Sequence, residues 1–116
     1  MDITRFAGAP AYDAPGHADM RMLRLQGREA GPSDSLWLGV SHLLPGGGTT
    51  LDASGLEKMY VVLDGEVTIS NGSETVTLGV WDSCRIAPHE GRQLSNRTNR
   101  TATILLAMPL APPSAG

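Results

Sequence analysis

The stretch Pro45–Val67, PGGGTTLDASGLEKMYVVLDGEV, decides the fold. Lys58–Leu63 (KMYVVL) is rich in β-branched and aromatic residues and runs into Asp64–Gly65, a tight-turn signal. It predicts a strand, with Glu66–Ser70 as its hairpin partner. Upstream, Ser35–Leu44 (SLWLGVSHLL) is apolar on both faces, which predicts a strand covered on both sides. Pro45 and three glycines are expected to end it. Downstream, "SNGS" predicts a second hairpin, with Asn71–Gly72 as a type I′ turn. Glu74–Leu78, Ser83–Ala87, Arg92–Ser95 and Ala102–Met108 follow as strands, with a turn at Pro88–Gly91. Before the first stretch, Asp19–Leu25 reads as a strand with Met20, Met22 and Leu23 facing inward. Met1–His17 reads as loop. No helical period stands out, and short strands with frequent turn signals define an all-β sandwich or barrel. The organisation expected is an N-terminal arm over 1–18, a barrel over 19–109 and a disordered tail over 110–116.

Composition bounds the function. The chain has 116 residues, one domain's worth, and 41% are apolar, enough for one core. The net charge of −3, without a basic stripe, gives no support for nucleic acid as a partner. One cysteine, Cys84, excludes an internal disulfide framework and favours a reducing compartment. The N-terminus lacks the pattern of a signal peptide, and no segment has the length of apolar residues that spans a membrane. A cytoplasmic location is expected. The N-x-S/T triplets at Asn71, Asn96 and Asn99 are read as chance.

The spacing of the opening stretch resembles the first motif of the cupin family, G-x5-H-x-H-x3-E-x6-G. Gly46 and Gly65 match its glycines, while Asp52, Ser54 and Lys58 stand where its two histidines and glutamate would be. The second motif, G-x5-P-x-G-x2-H-x3-N, resembles Trp81–Asn96. There Trp81, Ala87, His89 and Arg92 replace the motif residues and Asn96 matches. The resemblance covers roughly Leu36 to Pro109. It implies a cupin-type antiparallel jelly-roll β-barrel with an inner pocket, commonly a homodimer through strand exchange or sheet packing.

The same resemblance implies a metal held by three imidazoles and a carboxylate. The residues present argue against one: of the four, only Asp52 is a reasonable ligand. At about 4 Å and an effective dielectric near 20, each of Lys58 and Arg92 opposes a cation by several kcal/mol. No metal and no cofactor are therefore expected. Moving the register by one to use Glu57 would turn every side chain to the other face. His42 and His89 could in principle build a different site, for which two histidines in separate loops or strands are weak evidence.

Lys58 is the only lysine among nine basic residues. A desolvated amine serves as a general base or forms an imine with a carbonyl. Alternatively it is a residual charge paired with Asp52 or Glu57. Arg92 fits a carboxylate or enolate clamp, or a salt bridge to Asp52. Asp52 is an acid–base partner or a counter-ion. His42 is a further acid–base candidate. Tyr60 shares the face of Lys58 and orients a ligand oxygen, or is a core tyrosine. Ser54 lines the pocket. His89 and Glu90 read as solvated loop residues, and Cys84 as an inert thiol. The expected function is a metal-independent isomerase, lyase or cyclase acting on a small, anionic carbonyl or carboxylate compound. The alternatives are a non-catalytic sensor or accessory binder, and a vestigial dimeric scaffold.

Overall fold

Burial alternates along the strands of this chain, and the structure folds that alternation into a barrel. The structure, a computed structural model, describes residues 1–110. Its strands are β1 (Ala11–Tyr12), β2 (His17–Gln26), β3 (Leu36–Thr49), β4 (Asp52–Ala53) and β5 (Lys58–Asp64). They continue with β6 (Val67–Ser70), β7 (Thr75–Leu78), β8 (Ser83–Ile86), β9 (Gly91–Ser95) and β10 (Ala102–Pro109). Two single 3-10 turns, Phe6–Gly8 and Arg28–Ala30, are the helical content of the described residues. No helix among them is long and apolar enough to cross a membrane.

Every pairing is antiparallel, in the order β7-β6-β9-β3-β10-β5-β8, with β2 on β3, β1 on β2 and β4 on β9. This is the jelly-roll barrel expected from the sequence. The end strands β7 and β8 are not bonded to each other and leave a seam. The core is a cluster centred on Leu43, Val62, Val67, Ala102 and Ile104, each without exposed surface. Burying a side chain of this size contributes about 1.5–3 kcal/mol, so these residues fix the inner face of each strand.

Several local expectations are corrected. β3 does not stop at Pro45 but runs through the glycines to Thr49. Gly46 takes the bend with φ +82°. A Cβ at Gly47 would lie 2.2 Å from Asp19 O, and one at Gly48 2.2 Å from Leu94 O. The glycines are there for close backbone approach, not to end the strand. β5 and β6 are not hairpin partners: β5 pairs with β10 and β8, β6 with β7 and β9. The Gly65 turn, φ +72°, carries the chain across the barrel. The turn after Ser70 is not type I′, because Gly72 alone of the pair Asn71–Gly72 has positive φ. Instead the Asn71 side chain accepts from the N–H groups of Ser73 and Glu74 at 2.9 and 2.8 Å.

The N-terminal segment is not wholly loop. β1 pairs with β2, and β2 begins at His17. Asp19, with φ +52°, interrupts the alternation there. Leu23 lies on the opposite face of the sheet, across from Val40, and is buried there at 4% exposure, while Met20 and Met22 face the core side with Leu43 and Ser41. Of the expected disordered tail, Leu110 donates its N–H to Ser35 O at 3.0 Å. The remainder, 111–116, lies outside the described residues.

Candidate functional site

Alternation along β5 turns Lys58, Tyr60 and Val62 to the interior. Lys58 stands across from Ile86 and Tyr60 across from Cys84 on β8. On β9 the same alternation turns Arg92 and Leu94 inward, and Asn96, just past its end, is buried as well. Lys58 is 5% exposed and Arg92 8%.

The partners of these two cations are neutral. Lys58 Nζ donates to Ser54 Oγ at 2.9 Å, and that oxygen also accepts from Leu56 N–H at 3.3 Å. Arg92 Nη1 donates to Thr49 Oγ1 at 2.6 Å, which accepts Leu94 N–H as well. Arg92 Nε is buried without any hydrogen-bond partner. The ion pairs among the described residues are Arg24–Glu29, Arg85–Glu57 and Arg100–Asp64; none includes Lys58 or Arg92. A buried cation without a counter-ion is costly, which makes this pair the candidate for an anion site.

The titration behaviour follows. Burial, and then the like charge of Arg92, lowers the Lys58 pKa. The protein shell over the amine is thin, so that desolvation is moderate although little of its surface meets solvent. Burial drives the Tyr60 hydroxyl up to about 12, against the pull of Arg92. The hydroxyl lies beside the guanidinium and is influenced by it, yet the two do not meet in a well-aligned hydrogen bond.

The remaining expected residues divide. Ser54 joins the site through Lys58. Asp52 is directly across from Arg92 in the β4–β9 ladder. Its side chain, however, is exposed and accepts from Thr50 Oγ1. The expected Asp52 counter-ion role is therefore corrected: no carboxylate neutralises either cation within 4.0 Å. Glu57 binds Arg85 instead. His42 is not part of the site. It is adjacent to the inward Leu43, so it faces out, where Nδ1 meets Thr103 Oγ1 at 2.9 Å and Phe6 packs edge-on at 6.0 Å. His89 sits in the β8–β9 turn with φ +68° and donates its N–H to Ser54 O. Glu90 is more than a solvated residue: its carboxylate accepts from Asn71 Nδ2 and Ala87 N–H, which hold its pKa down. Burial, then Glu90 and Glu74, raises the Cys84 thiol, as an inert cysteine requires.

Two residues were missed. His17 lies across from Thr49 at the Arg92 end. Its Nδ1 donates to Pro15 O at 2.8 Å, and burial lowers its pKa. Tyr12, across from Met22, turns its ring inward against Trp37, with the Arg24 guanidinium 3.5 Å from its centroid. The alternation His17, Met20, Met22, Arg24 was visible in part, but the extra residue at Asp19 disguises its phase.

A cavity of about 140 Å³ opens in the β7–β8 seam. It is lined by Ile69, Cys84, Ile86, Glu74, Glu90 and Arg85 among others. Neither cation lines it, but Ile86 and Cys84 are the cross-strand neighbours of Lys58 and Tyr60.

The donor set does not fit a transition-metal centre. Positions 58 and 92 carry cations, position 54 a hydroxyl already engaged with one of them, and the Asp52 carboxylate is exposed. Among the described residues, no three His, Cys, Asp or Glu side chains converge.

A jelly-roll barrel with the two motif frames on β3–β5 and β8–β9 defines the class: the chain has the fold of the cupins. No family model matches it. Over 109 residues it is 44% identical to a beta-D-galactosidase of Mycobacterium tuberculosis, a match covering 93% of both chains. Among solved structures, the polyketide cyclase RemF of Streptomyces resistomycificus superposes with a TM-score of 0.84. That match has 20% identity and covers 97% of this chain and 82% of that one. A sugar phosphate isomerase of the cupin superfamily from Silicibacter pomeroyi gives 0.78 at 19% identity, over 93% and 75%. At these identities the structural matches speak for the fold alone.

Proposed function

We propose that this cupin-fold protein is an enzyme that takes a small anionic carbonyl or carboxylate compound into its barrel and moves a proton on it without a metal. The observation that carries this reading is the pair of buried cations, Lys58 and Arg92, with neutral partners and an orphaned Arg92 Nε. Arg92 holds the anionic group with its free N–H. The Tyr60 hydroxyl, protonated at any working pH, donates to a second ligand oxygen. Lys58, its pKa lowered, exchanges the proton, with Ser54 fixing the amine. Charge that develops as an enolate falls between two cations, which stabilises it before it forms. Asp52 stands at the rim across from Arg92. This chemistry suits an isomerase, lyase or cyclase; the two fold neighbours named above are a cyclase and an isomerase.

Calorimetric titration with oxalate, alongside magnetic-resonance screening of 2- and 3-oxo acids for product, tests it. Binding that Arg92→Gln abolishes, together with turnover, supports the enzyme. Binding without product assigns the protein to a sensor or accessory role. Absence of any anion binding in the barrel overturns the reading.

One further observation favours a second reading, hydrolysis of a β-galactoside. The 44%-identical relative bears that name, and Glu74 and Glu90 line one cavity. Glycoside hydrolysis commonly uses two carboxylates, and hydrogen bonds from Asn71 and Ala87 lower the pKa of Glu90. Release of nitrophenol from nitrophenyl β-D-galactoside, lost in Glu90→Gln and kept in Arg92→Gln, would establish this reading over the first.

A second copy of the chain is the partner we propose for the outer face of β3, β5 and β10. Leu36 and Met59 are exposed there beside Ala107 and Pro109. Light scattering showing a monomer at micromolar concentration would refute this.

A further inference from the structure

The geometry points to Lys58 as an amine nucleophile that forms an imine with the carbonyl of an oxo acid, rather than a base alone. This rests on the anion-site reading of Arg92 and names the substrate class of that site: a small aldehyde or ketone bearing a carboxylate or similar anion.

Four observations carry it. Lys58 is held on the rigid strand β5, facing inward, with its amine bonded to one neutral hydroxyl, Ser54 Oγ. No carboxylate lies within 4.0 Å of it among the described residues, so nothing holds the ammonium form in place. A second buried cation, Arg92, shares the interior and carries a free N–H. Burial and that like charge both favour the neutral amine, the two effects that prepare lysines for imine chemistry. The groups around Lys58 on the neighbouring elements agree. Tyr60 on its own strand stays neutral, and Cys84 on β8 is a thiol raised by burial. No anion facing it reverses the shift.

The chemistry closes on itself. The Nζ lone pair adds to the carbonyl carbon, and the carbonyl oxygen takes up protons and leaves as water. An imine remains that gains one proton to become an iminium. The anionic group on Arg92 sets which face of the carbonyl meets the amine. In a β-oxo acid the iminium then accepts the electron pair of the bond between the α-carbon and the carboxylate, which leaves as carbon dioxide and gives an enamine. Reprotonation and water return the free amine and the product. No redox partner or metal is needed.

The test uses the whole protein with glyoxylate and sodium cyanoborohydride at neutral pH. The hydride reduces any iminium to a carboxymethyl amine, which peptide mass spectrometry locates. Lys58 is the sole lysine, so the Met1 α-amine, on a fully exposed residue, is the one competing amine. We expect Lys58 to be labelled at least about tenfold faster than a free lysine amide, as a depressed amine pKa implies. Arg92→Gln is expected to slow that labelling about tenfold, and Lys58→Arg to keep oxalate binding while showing no adduct beyond Met1. Labelling of Met1 alone, or Lys58 labelling no faster than the amide, overturns the inference. If oxalate still binds in an Arg92-dependent way under that outcome, the anion site survives and only the imine falls. If oxalate binding is absent as well, both fall.

Discussion

Replacing Lys58 by methionine should stabilise the protein while removing its chemistry. Lys58 is 5% exposed, has one neutral hydrogen-bond partner and shares the interior with Arg92. Exchanging a buried ion for an apolar side chain of similar volume gains about 1–4 kcal/mol. The thin shell over this amine places it in the lower half of that range, about 2 kcal/mol. Losing the bond to Ser54 takes back about 1 kcal/mol, and Ser54 Oγ keeps the Leu56 N–H. The net gain is about 1 kcal/mol, or about 3–6 °C in Tm for a chain of this length. The pH dependence identifies the cause. A lysine whose native pKa is lowered destabilises the fold fully below that pKa, where it is charged in both states. The penalty fades as pH rises toward the unfolded value. Calorimetric melts of wild type and Lys58→Met from about pH 6 to about pH 10 should therefore show the largest advantage at the acid end and a shrinking one above. A variant that melts below wild type at neutral pH, or an advantage that ignores pH, would refute the unpaired-cation argument.

Three further outcomes are expected. Asn96 is 1% exposed and bonds Leu43 O, Arg100 O, Thr98 N–H and Thr98 Oγ1. Asn96→Ala should cost about 3 kcal/mol in urea unfolding, because it leaves buried backbone groups unmatched. Gly48→Ala puts a Cβ 2.2 Å from Leu94 O and 3.0 Å from Ser95 Cα. It should cost about 3 kcal/mol by the same measurement, since both obstacles are backbone. His42→Ala should leave kcat/KM for any substrate of the barrel within about twofold, because the ring faces away from the site.

The barrel was legible because its signals are local. Lys58–Asp64 concentrates aromatic and β-branched residues, Tyr60, Val61 and Val62, before a turn signal, and the motif spacing from Gly46 to Gly65 sets the inward phase of Lys58 and Tyr60. The strand partners were not legible. A Gly65 turn reads as a hairpin in one dimension, whereas β5 and β6 diverge to opposite sides of the barrel. Pairing is decided by burial of Val62 and Val67 against distant residues such as Ile104 and Leu94. The charged pocket was read from two positions, but its counter-charges were not. Asp52 lies across from Arg92 in register, and only the structure shows its carboxylate turned to Thr50 and solvent. His42 was a matter of one residue in phase. His17 was hidden by Asp19, whose left-handed backbone breaks the alternation that would have pointed the imidazole inward.

Two like charges held inside a barrel imply that ligand binding and proton binding are coupled. An anion seated on Arg92 reduces the repulsion on Lys58 and adds an attraction, so the bound state must raise the amine pKa from its lowered value. Linkage then requires that anion binding take up protons once the solution pH exceeds the pKa of the free protein. Oxalate titrations in two buffers of different ionisation enthalpy measure that uptake directly. It should be a fraction of one proton, grow as pH rises from neutral toward the ordinary lysine range, and vanish in Lys58→Met. It should also be lost in Arg92→Gln, where the anion no longer binds beside the amine. Uptake that persists in Lys58→Met would assign the coupling to another group. His17 is the first candidate, since it stands across from Thr49 and its pKa is also lowered by burial. A heat that is the same in both buffers would mean that the anion binds away from Lys58. The two cations would then be neighbours without being a site.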